Sequence, residues 1–111
     1  MRLTPAVEVG ALIRRAEAGG GFGTVLHSGD PDHGSLLLVI TSRGRHVAVL
    51  ERVLGAAGNY VWQASGPPDS ASAEEVAQFL SRRTRFDADC WLIELDIAEP
   101  ERFIAETTAS G

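Results

Sequence analysis

"SLLLVITSRGRHVAVLERVL", residues 35–54, decides the fold. Leu36 to Ile40 are five apolar residues in a row, and such an unbroken run reads as a buried central strand. Arg43-Gly44-Arg45 then supplies a tight turn, and residues 46–54 return as the next strand. Working outward, "GTVLHSG" (23–29) is a short strand that stops in the turn-rich "SGDPDHG" (28–34). On the other side, "GAAGN" (55–59) turns into "YVWQAS" (60–65). Four strands in series, joined by short turns, predict an antiparallel meander.

Helices flank this block. Thr4 is placed to cap a first helix with Pro5 at its first position, and Val9, Leu12, Ile13 and Ala16 share one face. The glycines of "AGGGFG" (18–23) end it. After the linker "GPPDSAS" (66–72), Ser72 and Glu75 form a capping box, and Val76, Phe79 and Leu80 make the buried stripe of a second helix. "CWLIELDI" (90–97) alternates, with Trp91, Ile93, Leu95 and Ile97 on one face and Cys90, Leu92, Glu94 and Asp96 on the other. A short helix over 100–106 can follow. The expected fold is α+β: a two-layer domain with a mostly antiparallel sheet of about five strands, two helices packed on one face, and the order α-β-β-β-β-α-β. Residues 1–106 are read as a single domain and 107–111 as a flexible tail.

The totals narrow the function. A chain of 111 residues makes one domain, and 44% hydrophobic content is enough to bury a core. Fifteen acidic residues against ten basic ones give a formal charge of -5, which argues against a dedicated binder of duplex DNA. All ten basic residues are arginine, a pattern that fits coding bias better than a charge-recognition role. One cysteine excludes an internal disulfide and a cysteine-rich zinc site. Without a signal-like apolar segment or a membrane-length apolar run, the expectation is a cytoplasmic protein that does not engage the membrane.

Several stretches carry chemistry-bearing residues. "GGGFG" (19–23) follows a helix and lacks the lysine of a phosphate loop, so it reads as punctuation. His27, Asp30, Asp32 and His33 are the weak metal candidates, but Gly-Asp-Pro-Asp is also a routine turn, and no metal is assigned. Cys90 lies in an alternating strand beside Trp91 and is expected to be packed and inert. Arg82, Arg83 and Arg85 complete the second helix where its dipole favours cations. At 100° per residue, Arg82 and Arg85 project outward, while Arg83 falls on the apolar stripe and needs a carboxylate. Asp87, Asp89 and Glu94 are the nearest in sequence, giving an expected structural ion pair at the helix-to-strand corner.

"ALIRRAEAGG", "SGDPDHGSLLLVI" and "RRTRFDADCWLIEL", in this order, resemble the DUF1491 family, small bacterial proteins built on a domain of unknown function. The resemblance covers nearly the whole chain and is most specific at Phe86-Asp87-Ala88-Asp89-Cys90-Trp91. It implies a shared motif at Arg14, Arg15, Asp30, Asp32, Gly34, Arg85, Phe86, Asp87, Asp89, Trp91 and Glu94. Cys90 departs from it, standing where a larger apolar residue is expected, and Glu8 stands in a region associated with an aromatic. No activity comes with the family. The expected function is a non-enzymatic interaction or accessory domain that forms homo-oligomers, meets an unknown protein partner and needs no cofactor. The alternative is an anion-binding protein in which Arg14, Arg15, Arg82 and Arg85 converge on a nucleotide, phosphate or single strand, with Trp62 or Trp91 for stacking. It requires those arginines to share one face.

Overall fold

The computed structural model of the chain describes residues 3–109. Its centre is the hairpin of β2 (Leu36–Ser42) and β3 (Arg45–Leu54), which pair antiparallel. The two turn residues, Arg43 and Gly44, both have positive φ (52° and 78°), as a two-residue hairpin loop demands. Arginine is a costly choice there. The cost is offset by Asp96, whose carboxylate accepts hydrogen bonds from Arg43 N (3.1 Å) and Gly44 N (2.9 Å).

The sheet is completed by β1 (Phe22–His27), β4 (Tyr60–Ser65) and β5 (Trp91–Asp96), in the order β1-β5-β2-β3-β4. The class is α+β, and the predicted order of elements holds. The meander, however, is confined to β2, β3 and β4. β5 occupies the place between β1 and β2, antiparallel to the first and parallel to the second. The physical reason lies in the side chains. β5 buries Leu92, Ile93 and Leu95 on alternating faces and belongs in the centre, whereas the exposed Phe22, Val25 and Leu26 suit β1 to an edge. The stretch between β1 and β2, residues 28–35, is too long for a tight hairpin and carries the chain past β5.

The helices also differ in placement. α1 (Pro5–Ala18) and α3 (Pro100–Ala109) cover one face, where Val9, Ala16 and Phe103 pack on Leu36, Leu38, Ile40, Leu50, Ile93 and Leu95. α2 (Ala73–Phe86) covers the other, laying Phe79 and Leu80 against Leu37, Val49, Cys90 and Leu92. The domain thus has three layers, and the two long helices lie on opposite faces rather than on one. The central strand requires this: Leu36, Leu37 and Leu38 are 1%, 0% and 0% exposed, so successive side chains need cover on both sides.

Helix ends follow local chemistry. The capping box forms, with Glu75 N donating to Ser72 Oγ (3.1 Å) and Ser72 N to Glu75 Oε1 (2.9 Å). Thr4 caps α1 through its carbonyl alone, its side chain making no cap bond. α3 runs beyond the expected short helix, and Thr107 is buried where a flexible tail was expected. It is held by Arg15, which donates to Thr107 Oγ1 (3.2 Å) and lies over the Phe103 ring. Ser110 and Gly111, the rest of that expected tail, fall outside the described residues.

Candidate functional site

α2 packs on the sheet through Phe79 and Leu80, and a cleft of about 590 Å³ lies between its Ala73–Leu80 stretch and the strands. Val39, Val76, Ala77 and Leu80 form apolar walls, and Leu26 of the edge strand closes one side. Polar groups converge on one end. Thr41 and His46 are cross-strand neighbours on β2 and β3, and Glu94 and Asp96 lie on the same side of β5. Thr41 Oγ1 is 3.2 Å from Glu94 Oε2 and 3.0 Å from Asp96 Oδ2, and its single proton serves one carboxylate at a time. His46 Nε2 is 3.0 Å from the Pro67 carbonyl oxygen and must carry a proton to bond it. That leaves His46 Nδ1 as a buried nitrogen without a partner among the described residues. A cleft of this size with a few convergent polar groups has the proportions of a small-ligand site.

The charged residues singled out in the sequence fall in separate places. Arg83 does turn inward, but its carboxylate is Glu51 of β3, at 2.9 Å, and not Asp87, Asp89 or Glu94. Glu51 also accepts from Ser65 Oγ (3.1 Å). Asp87 instead accepts from Ser35 Oγ (3.2 Å) and Asp89 N (3.1 Å), closing the corner after α2. Arg14 and Arg15 sit on α1 and Arg82 and Arg85 on α2, on opposite faces of the sheet, so the four cannot converge on one anion. The single-patch anion reading is thereby removed. The tryptophans are engaged as well: Arg52 lies over Trp62, and Trp91 Nε1 donates to the Asp30 carbonyl (2.8 Å).

Asp30 Oδ1 accepts from Asp32 N and His33 N, both at 2.9 Å, which is the local bonding of a turn and holds its carboxyl below the usual range. His27 turns its Nδ1 to the Cys90 carbonyl, away from that turn. Among the described residues no three potential metal ligands come together. The Cys90 thiol is fully buried, and burial pushes its pKa up, which opposes thiolate chemistry. No helix among the described residues is long and apolar enough to cross a membrane.

A family model described as a protein of unknown function, DUF1491, matches residues 3–105. The chain belongs to the DUF1491 family. Solved relatives have the same architecture. A crystal structure of a DUF1491 family protein from Caulobacter crescentus is 28% identical, with a TM-score of 0.78 over 87% of this chain and 90% of that one. An NMR structure of a DUF1491 family protein from Caulobacter crescentus is 30% identical, with a TM-score of 0.75 over 90% of both chains. The solution structure of a protein from A. tumefaciens is 29% identical, with a TM-score of 0.67 over 86% of both. Among curated proteins no match was found.

Within this DUF1491 domain, the residues that sequence reasoning missed are Glu51, Thr41 and His46. Glu51 had a visible signal, being an acidic residue directly after the apolar run Val47 to Leu50 in "HVAVLERVL". Its ion pair makes a pH prediction. The hydrogen bond from Arg83 holds the Glu51 carboxyl below its ordinary value of 4.5, against a smaller opposing effect of burial. A depressed carboxyl contributes stability above its unfolded value, and that contribution is lost as pH falls through the folded one. Asp96 behaves alike, lowered chiefly by the Gly44 backbone N–H. Chemical denaturation should therefore show stability falling as pH drops below about 4.5. Glu51→Gln should flatten that acid limb. An unchanged limb in this variant would remove the pair as its cause.

Proposed function

We propose that the protein is a cytoplasmic, non-enzymatic interaction domain that self-associates through its edge strand β1. One observation carries this reading. β1, "FGTVLH", has no charged residue and no proline, pairs only with β5, and leaves Phe22, Val25 and Leu26 at 56%, 40% and 45% exposure. An open strand edge with exposed apolar side chains is a template for pairing, and proteins that stay monomeric usually blunt such edges with charge or proline. The bulge between Val25 and His27 is the one such device on this strand. Two copies joined antiparallel through β1 form a two-fold interface and a continuous sheet of ten strands, twice the five of one chain. The buried Cys90 thiol and the turn-bound Asp30 support a role without covalent chemistry.

Light scattering coupled to size exclusion tests the proposal. The unaltered chain should run as a dimer, dissociating on dilution, and Phe22→Lys with Val25→Lys should run as a monomer with its helix and strand content intact. A monomer for the unaltered chain across a hundredfold concentration range, or a dimer that survives both lysines, would overturn it.

A further inference from the structure

We propose that the cleft between α2 and the sheet binds a small molecule with an apolar body and an amine head, the ammonium bonding Glu94. The two ends of the cleft differ in chemistry. Val39 and Val76 are 3% and 8% exposed and, with Leu80 and Ala77, present hydrocarbon to the space between helix and sheet. Such a wall takes an apolar body by releasing water, without directional demand.

The polar end is dominated by acceptors. Glu94 Oε2 shares the single Thr41 Oγ1 proton with Asp96, and no ion pair reaches either carboxylate among the described residues. Asp96 is already committed to the backbone of the β2–β3 turn, so Glu94 is the carboxylate that faces the cleft. With Nε2 given to Pro67, His46 has only the Nδ1 lone pair left in its neutral form. Asp69 adds a second negative charge at the mouth. Arg45 is the one cation among the lining residues, and one arginine against two carboxylates leaves the lining negative. A ligand head that donates hydrogen bonds and carries positive charge complements this end, whereas a carboxylate or phosphate head meets the like charges of Glu94 and Asp69 with Arg45 alone to offset them.

The test uses two probes of one shape, phenethylamine and 3-phenylpropionate, titrated into the full chain and followed by amide chemical shifts. The amine should give saturable shifts centred on Thr41, His46, Ala77 and Glu94, and the acid should give none there. Glu94→Gln, which keeps an oxygen able to accept from Thr41, should weaken the amine about tenfold. Ala77→Phe, which fills the space from the helix side, should abolish binding and leave the fold untouched because Ala77 is exposed. Stronger binding of the acid, shifts mapping elsewhere, no saturable binding of either probe, or full affinity in the Ala77→Phe variant would each overturn the proposal. The self-association variants alter Phe22 and Val25 and neither lines the cleft, so the two proposals can fail separately.

Discussion

Gly34→Ala is expected to remove on the order of 3 kcal/mol or more of stability, one of the largest losses available to a single methyl group in this chain. A Cβ built at Gly34 would sit 2.2 Å from the Asp89 carbonyl oxygen, 2.8 Å from that of Asp30 and 2.9 Å from Trp91 Cδ1. The first two are backbone atoms that cannot swing aside. Each is also in use: Asp89 O accepts from Asp30 N (2.9 Å), and Asp30 O accepts from both Gly34 N (3.1 Å) and Trp91 Nε1 (2.8 Å). Moving the loop to admit the methyl group breaks these bonds together and unseats the start of β5. For a domain of this size the thermal midpoint should fall by more than about 10 °C. Gly58→Asn is the contrast. Gly58 has φ of 86° but nothing within 4 Å of its Cβ position, so it should cost less than about 1 kcal/mol. Circular dichroism melts of the two variants decide the matter. An unshifted midpoint for Gly34→Ala would mean that the loop does not pass so close to Asp89.

Glu8→Ala should cost about 2–3 kcal/mol, and the loss should exceed that of the paired change Glu8→Leu with Arg52→Met. Glu8 on α1 and Arg52 on β3 pair through both carboxylate oxygens, with Arg52 Nη2 at 2.9 Å from Glu8 Oε1. Their side chains are only 16% and 13% exposed, and the guanidinium lies over the rings of Trp62 (5.5 Å) and Tyr60 (5.7 Å). Alanine at position 8 leaves a desolvated cation between aromatic rings and a helix. Removing both charges restores an apolar packing instead, so the two single losses should not add. Urea midpoints for the unaltered chain, Glu8→Leu, Arg52→Met and the double variant measure the coupling, and strict additivity would show that the pair is solvated. In a region that the family resemblance associates with an aromatic, this chain thus has an acid that ties α1 to the sheet.

How much of this was legible depended on whether the cause was local. The hairpin of β2 and β3, the capping box of α2 and the inward phase of Arg83 follow from neighbours within a turn or a strand, and each is visible in residues 35–54 or 72–83. Partners across the fold were not. Arg83 lies nearer in sequence to Asp87 than to Glu51, but the layer that covers β3 brings Glu51 to it. The burial of Leu37 between Leu36 and Leu38 already demanded helices on both faces, a consequence that the sequence contained and that a two-layer reading passed over. Thr41, His46 and Glu94 come from three strands and share a cleft only because β5 lies beside β2, which no pattern within one segment announces.

That central insertion also constrains how the chain reaches its native state. β1 has no partner in the sheet except β5, and β2 has β5 along one whole side. The first strand must therefore wait, unpaired, until the last has been synthesised. A ribosome would have β1 and the open side of β2 uncovered until Trp91–Asp96 is made, and the sheet can close only when that strand emerges. The apolar edge that β1 leaves open in the finished molecule is, during synthesis, joined by a longer apolar edge with no cover at all.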